Sequence, residues 1–211
     1  MPNCVVVIKS CHKYAGRRKT VSETWLPGLD WAAHAFLIGN PCTGAANQQG
    51  VWPCPVSDDF KDIAPKIKHA AILALEGGYD YMFVCDDDTY VRTTRLFAAW
   101  KNVQIHGQDY VGHMRTDGLG YNQGIPYAQG AAYFLSARAM EYVATSKEMV
   151  PGIIDDGAVG RALDGQVPFT HDRRYMPGPV PNLLVNPDWI SVHKCLPNVM
   201  QQVHEAVCKT A

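Results

Sequence analysis

The chain has no CxxC cysteine pair, no internal repeat, no low-complexity linker and no apolar stretch long enough to cross a membrane. Each absence removes a class of protein. Without closely paired cysteines, a structural zinc site is not the organising element. The seven cysteines are odd in number and scattered, which reads as mostly buried thiols in a reducing compartment, with a Cys42–Cys54 disulfide as the minor alternative. An excess of charge of one sign is missing too. A net charge of −1 gives no global attraction to nucleic acid or an anionic membrane, and leaves only the local basic cluster Arg17-Arg18-Lys19. Pro2-Asn3 leads straight into Cys4-Val5-Val6-Val7-Ile8, a run too short for a signal peptide or a span, so a soluble, cytoplasmic protein is expected.

What is present fits one globular domain over residues 1–211, with 47% hydrophobic and 18% charged residues, enough to bury a substantial core. The pattern predicts strands near 4–9, 33–38, 79–84, 110–113 and 131–135. It predicts helices near 20–26, 60–76, 93–100, 137–145 (capped by Ser136) and 158–163. Residues 42–55 and 118–130, rich in Gly, Pro, Asn or Tyr, read as loops, and the Pro-rich tail from 169 to 194 reads as irregular. Alternating strands and helices argue an α/β sandwich with a mainly parallel central sheet flanked by helices.

The most informative stretch is Tyr79-Asp80-Tyr81-Met82-Phe83-Val84-Cys85-Asp86-Asp87-Asp88. An apolar strand runs into three adjacent carboxylates, which is tolerable only where the strand leaves the core or meets a cation. That strand end is where a parallel sheet places its ligands. Hard oxygen ligands there suit Mg²⁺ or Mn²⁺ held together with substrate phosphates. A solvated acidic turn is the bland alternative.

Further motifs follow in order: Arg18 before Thr24-Trp25, Asp59-Phe60 before Ile63 and Lys66, the Asp triplet, the segment Tyr127 to Ser136, Asp155-Asp156-Gly157-Ala158-Val159-Gly160, and a late His193. Together, from about Val5 to His193, they resemble the Fringe-like and β-1,3-galactosyltransferase family of inverting, metal-dependent GT-A glycosyltransferases. The resemblance implies a GT-A, Rossmann-like fold and a UDP-sugar donor. It implies Asp88 and His193 as metal ligands, Asp86 and Asp87 as donor-site residues, and Asp156 as the catalytic base. Arg18 is assigned to the diphosphate or the nucleobase, Lys66 to the acidic site, and Gly130 to a close approach of donor sugar and backbone. The acceptor expected from the family is a glycan or glycoprotein. An enzyme without a membrane anchor, as in a bacterium or virus, leaves open a hydroxymethylated DNA base, against which the near-neutral charge argues.

Plainer readings stand beside these. Asp155-Asp156 can serve as the acidic first turn of a helix, Arg17-Arg18-Lys19 as a solvated basic face, Gly130 as a packing turn, Lys66 as the partner of a surface carboxylate, and Trp25 as a core anchor. Two other function classes remain. One is a metal-dependent phosphohydrolase or nucleotidyltransferase that recruits Asp155-Asp156 to a second metal. The other is a non-catalytic module that binds a nucleotide sugar.

Overall fold

Val5 and Val7 face one way and Val6 and Ile8 the other, and each pair enters a different hydrophobic cluster. Both pairs belong to β1 (Cys4–Lys9), buried along its whole length. A strand apolar on both faces needs helices on both sides of its sheet. The computed structural model, which describes residues 3–40, 50–116, 122, 124–178 and 188–210, has that arrangement. The other strands are β2 (Ala33–Asn40), β3 (Val51–Ser57), β4 (Tyr81–Asp86), β5 (Tyr90–Val91), β6 (Tyr110–Arg115), β7 (Tyr127–Ser136), β8 (Phe169–His171), β9 (Tyr175–Met176) and β10 (Ser191–Val192). The helices are α1 (Ala15–Glu23), α2 (Ile63–Glu76), α3 (Thr93–Ile105), α4 (Ala137–Thr145), α5 (Asp155–Leu163) and α6 (Pro197–Thr210).

The main sheet has the order β3-β2-β1-β4-β7-β6-β8. Only β7 runs against the others, pairing antiparallel with β4 and β6, so the sheet is mainly parallel. Helices α2, α4 and α5 cover one face through Ile67, Ala71, Met140, Val143, Val159 and Leu163. Helices α1, α3 and α6 cover the other through Val21, Leu96, Trp100, Met200 and Val203, with Trp25 buried among them as a core anchor. None of the described helices is long and apolar enough to cross a membrane.

The chain order reverses between β1 and β4. From β1 the chain passes to β2 and β3 on one side, then returns to β4 on the other. Ligands of open α/β sheets bind outside the carboxyl ends of the strands at such a switch point. Lys9 and Asp86 are paired across it, at the last positions of their strands. A second, three-stranded sheet, β5-β10-β9, stands beside this edge and carries the late histidine to it.

Several boundaries differ from the sequence reading for identifiable reasons. The segment 51–57, read as loop because of Pro53 and Pro55, is β3, and it lies at the sheet edge, where proline costs no central ladder bond. Helix α1 begins at Ala15, a full turn earlier than Thr20. The tail read as irregular contains β8, β9 and β10, all three residues or shorter. Helix α6 was not anticipated, although Pro197 at its start and Met200, Val203 and Val207 on one side carry a helical signature. Ser136 caps α4 as expected, its hydroxyl accepting the Ala139 N–H at 3.2 Å. The six described cysteines carry free thiols, five of them buried; Cys42, and with it the disulfide considered above, lies outside the described residues.

Candidate active site

Two registers assemble the acidic cluster. The parallel β1–β4 ladder ends with Asp86 beside Lys9. In the antiparallel β5–β10 ladder, Val192 faces Tyr90, so His193, the residue that follows β10, falls beside the Asp88-Thr89 turn. The turn is fixed by its backbone. The Cys195 N–H donates to the Asp88 carbonyl at 2.8 Å, and the His193 N–H donates to Met176 at 3.0 Å. Lys194, between them, is left-handed with φ 63°, a conformation that costs of order 1 kcal/mol in a non-glycine residue and is held here by those bonds.

Asp86 and Asp88 each spend one oxygen on a fixed cation and turn the other toward His193. Asp86 Oδ1 takes the Lys9 ammonium at 3.0 Å, and Asp86 Oδ2 lies 3.3 Å from His193 Nε2. Asp88 Oδ2 takes the Arg17 guanidinium at 3.2 Å, and Asp88 Oδ1 lies 3.1 Å from the same Nε2. The ligand atoms of Asp86, Asp88 and His193 all lie within 4.8 Å of one another. Two carboxylate oxygens and an imidazole nitrogen at one point, with outer cations locking the carboxylates, fit a divalent ion, and the nitrogen favours Mn²⁺ over Mg²⁺. The charges are consistent with this. Burial raises the Asp86 carboxyl to about 6 against the pull of Lys9. Burial opposes ionisation of Asp88 as well, but His193 and Arg17 hold its carboxyl below the ordinary value.

Lys9 is only 5% exposed, and its second contact is Asp155 Oδ2 at 2.5 Å. Burial pulls its ammonium down, but Asp155 and Asp86 together keep it charged, well above the ordinary lysine value. Removing one partner of a buried pair of this kind costs roughly 3–5 kcal/mol. Asp155 and Asp156 form the first turn of α5, where the helix dipole favours negative charge. The seat of α5 is tight: a Cβ on Gly160 would meet the Pro126 carbonyl at 2.6 Å and Tyr127 Cβ at 2.7 Å. The close approach of α5 to β7 therefore sets where the two acids stand. Asp156 Oδ1 accepts the Gly157 N–H at 2.8 Å.

A cleft of about 380 Å³ opens over these groups. One wall comes from the start of α1 and from His193, with Lys13, Tyr14 and Arg17, whose guanidinium stacks 4.0 Å from the Tyr14 ring. The opposite wall comes from the starts of α2 and α5, with Asp59, Phe60, Ile63, Ile154 and Asp156. The floor is the strand edge, Lys9 and Ser10 with the acidic triplet.

Asp86, Asp87, Asp88, Asp156, His193 and Lys66 all line this one cleft. Asp87 is buried and satisfied, accepting the Ser10 hydroxyl at 2.7 Å and Arg17 at 3.1 Å, so it shapes the floor. Lys66 is bonded to Asp58 and donates to the Ser10 carbonyl at 3.0 Å, which combines the two readings of it: it lines the cleft and it is paired with a carboxylate. Arg18 is turned from the acidic cluster and donates to the Ser10 hydroxyl and the Cys11 carbonyl, while Arg17 reaches the cluster. Gly130 lies in β7, and its surroundings are outside the described residues. Sequence reasoning missed Arg17, Lys9 and the apolar wall. A helix start at Ala15 would have found Arg17, which stands one turn before buried Val21.

No protein-family model matches the chain, and no curated protein matches it. Solved structures do share its fold. A glycosyltransferase involved in the glycosylation of the major capsid of PBCV-1 superposes with a TM-score of 0.62 at 12% identity, covering 97% of this chain and 100% of that one. The galactosyltransferase LgtC, solved in complex with donor and acceptor sugar analogues, gives 0.55 at 15% identity, covering 96% and 95%. The mixed α/β architecture, with its mainly parallel sheet flanked by helices, is that of GT-A glycosyltransferases.

Proposed function

We propose that residues 1–211 form one glycosyltransferase domain of Fringe-like character, which moves a hexose from a UDP-sugar to an acceptor hydroxyl with inversion at the anomeric carbon. The observation that carries the reading is the convergence of Asp86 Oδ2, Asp88 Oδ1 and His193 Nε2 on one point at the sheet edge, with Asp156 lining the same cleft. Asp86, Asp88 and His193 would hold a divalent ion, preferably Mn²⁺, which supplies neutralisation of the charge that develops on the departing diphosphate. Arg17 and Lys13 attract the same diphosphate from the α1 wall. Asp156 accepts the proton of the acceptor hydroxyl. The acceptor's hydroxyl oxygen forms the new bond to the anomeric carbon as the bond to the diphosphate oxygen breaks, and UDP leaves with the electron pair. An α-linked donor then yields a β-linked product.

The phosphohydrolase alternative asks Asp155 and Asp156 to bind a second metal. Asp155 is instead bonded to buried Lys9, which leaves it poorly placed for that task. The discriminating experiment supplies a panel of UDP-sugars with Mn²⁺ and a panel of glycan and glycoprotein acceptors, and follows both the glycosylated product and free phosphate. Transfer that disappears on chelation supports the reading. Phosphate release without transfer supports the hydrolase, and donor binding without turnover on any acceptor supports a binding module.

A further inference from the structure

Phe60 is 73% exposed at the mouth of the cleft, and Ile154, across from the floor on the same wall, is 45% exposed. Both belong to segments that have ample opportunity to turn apolar groups inward. Ala64, four residues after Phe60, and Ala158, four after Ile154, are both fully buried. The two segments are tied together, the Gly152 N–H donating to the Lys61 carbonyl at 2.6 Å. Two exposed apolar side chains therefore line the same polar cleft as the carboxylates of Asp59 and Asp156. Exposed apolar groups that line a cleft mark a place where something binds.

The charge of this wall limits what that is. Among the described residues, every cation on or beside this wall is already engaged by a carboxylate: Lys66 by Asp58, Lys9 by Asp155, and Lys61 by Asp59 at 3.7 Å. A polyanion such as DNA, or a phosphorylated carrier, would find no unengaged cation there and would face the carboxylate of Asp156. A neutral hexopyranoside suits it. One face of such a sugar is a sheet of C–H groups that can lie on an aromatic ring, and its hydroxyls donate to carboxylates.

We propose that Phe60 and Ile154 form the acceptor platform, and that the acceptor is the neutral hexopyranose end of a glycan, laid on the Phe60 ring with a hydroxyl directed to Asp156. The proposal rests on the glycosyltransferase reading and adds the acceptor class to it.

The test measures steady-state transfer from the preferred UDP-sugar, with Mn²⁺, to three soluble probes: neutral methyl hexopyranosides and disaccharides, a hydroxymethylated oligonucleotide, and a serine- and threonine-containing peptide. Donor affinity is measured separately by calorimetry with UDP and Mn²⁺. Phe60→Ala should raise the KM for the neutral sugar about tenfold, the scale of one lost aromatic contact, and Phe60→Trp should restore it. The UDP affinity of Phe60→Ala should stay within about twofold of the parent, because Lys13, Arg17 and His193 lie on the other wall and Asp86 and Asp88 on the floor. Phe60 is exposed, so its truncation does not threaten the fold, and Ile105→Ala on the far end of α3 serves as a control for loss of an exposed apolar side chain. An unchanged sugar KM in Phe60→Ala overturns the platform, as does a preference for the oligonucleotide or the peptide over every neutral sugar. Failure of the parent protein to bind UDP with Mn²⁺ overturns the underlying reading instead, and is seen in the calorimetry before any acceptor is added.

Discussion

The two walls of the cleft are made from the same kind of element, the stretch of chain that leads into a helix, yet they carry opposite chemistry. Where the chain enters α1 the groups lining the cleft are cations, exposed Lys13 and partly buried Arg17, both set over the Tyr14 ring. At the starts of α2 and α5 they are carboxylates and apolar side chains. The difference follows from what each wall must hold. A nucleoside diphosphate brings negative charge that fixed cations and a metal can neutralise, whereas an acceptor hydroxyl must give up a proton to a base and brings no charge of its own. Lys9, in the floor, ties the two halves together by holding both Asp86 and Asp155 with its ammonium.

The sharpest way to break this division is at the metal side. Asp88→Ala removes the carboxylate that joins His193 to Arg17. It should lower transfer about a thousandfold and abolish the Mn²⁺-dependent rise in Tm that UDP produces. An unchanged UDP affinity in the presence of Mn²⁺ would discard the ion-binding role of the cluster.

Asp156→Asn tests the opposite wall. It keeps the shape and the bond to the Gly157 N–H while removing the basicity, so kcat should fall by about 10²–10⁴ with UDP and Mn²⁺ still bound. The anomeric configuration of the parent's product, read by proton NMR, is the companion measurement. A product that keeps the donor configuration would remove Asp156 from the base role, whatever the variant does.

A smaller effect separates two neighbours. Arg17→Ala should weaken UDP binding about tenfold or somewhat more, the worth of a charge-assisted contact, whereas Arg18→Ala should act mainly on the backbone it braces at Cys11. Equal losses in the two variants, measured by calorimetry, would mean that the α1 wall attracts the donor by general charge and not through one positioned guanidinium.

The arginine pair also shows how far the sequence could be read. Which of two adjacent residues faces the cleft depends on the helix phase, and the phase depends on a start that no N-cap side chain marks, since Tyr14 makes no capping bond. The Asp triplet was legible because an apolar strand ending in three carboxylates has few physical outcomes. His193 was legible as part of a motif, but its arrival beside Asp88 depends on a two-residue ladder that no local pattern announces. Lys9 was not legible at all. A lysine closing an apolar strand looks like a charge escaping the core, and its partner Asp155 is 146 residues away. The fold itself was readable because both faces of β1 and β4 are apolar, which requires two helical layers, while β3 was hidden by prolines that only an edge position accommodates.

The mildest perturbation is pH, read here on the metal side. Burial draws the His193 imidazole toward neutrality, but Asp88 and Asp86 outweigh it and hold its pKa above the ordinary value. Folding therefore favours the proton. In the metal-free protein the stabilisation from this imidazolium is complete below about pH 6.5 and fades as the pH rises through the raised value. An ion needs the neutral ring, so binding expels that proton, and Mn²⁺ affinity should weaken a few-fold as the pH drops from about 7.5 to 6.5. Below the Asp86 value of about 6 a second proton competes, and the fall should steepen. Calorimetry in buffers of different ionisation enthalpy counts these protons directly. UDP-independent Mn²⁺ binding that ignores pH over that range would place the ion away from His193, and the comparison between the walls would lose its metal half while the carboxylate wall stood unchanged.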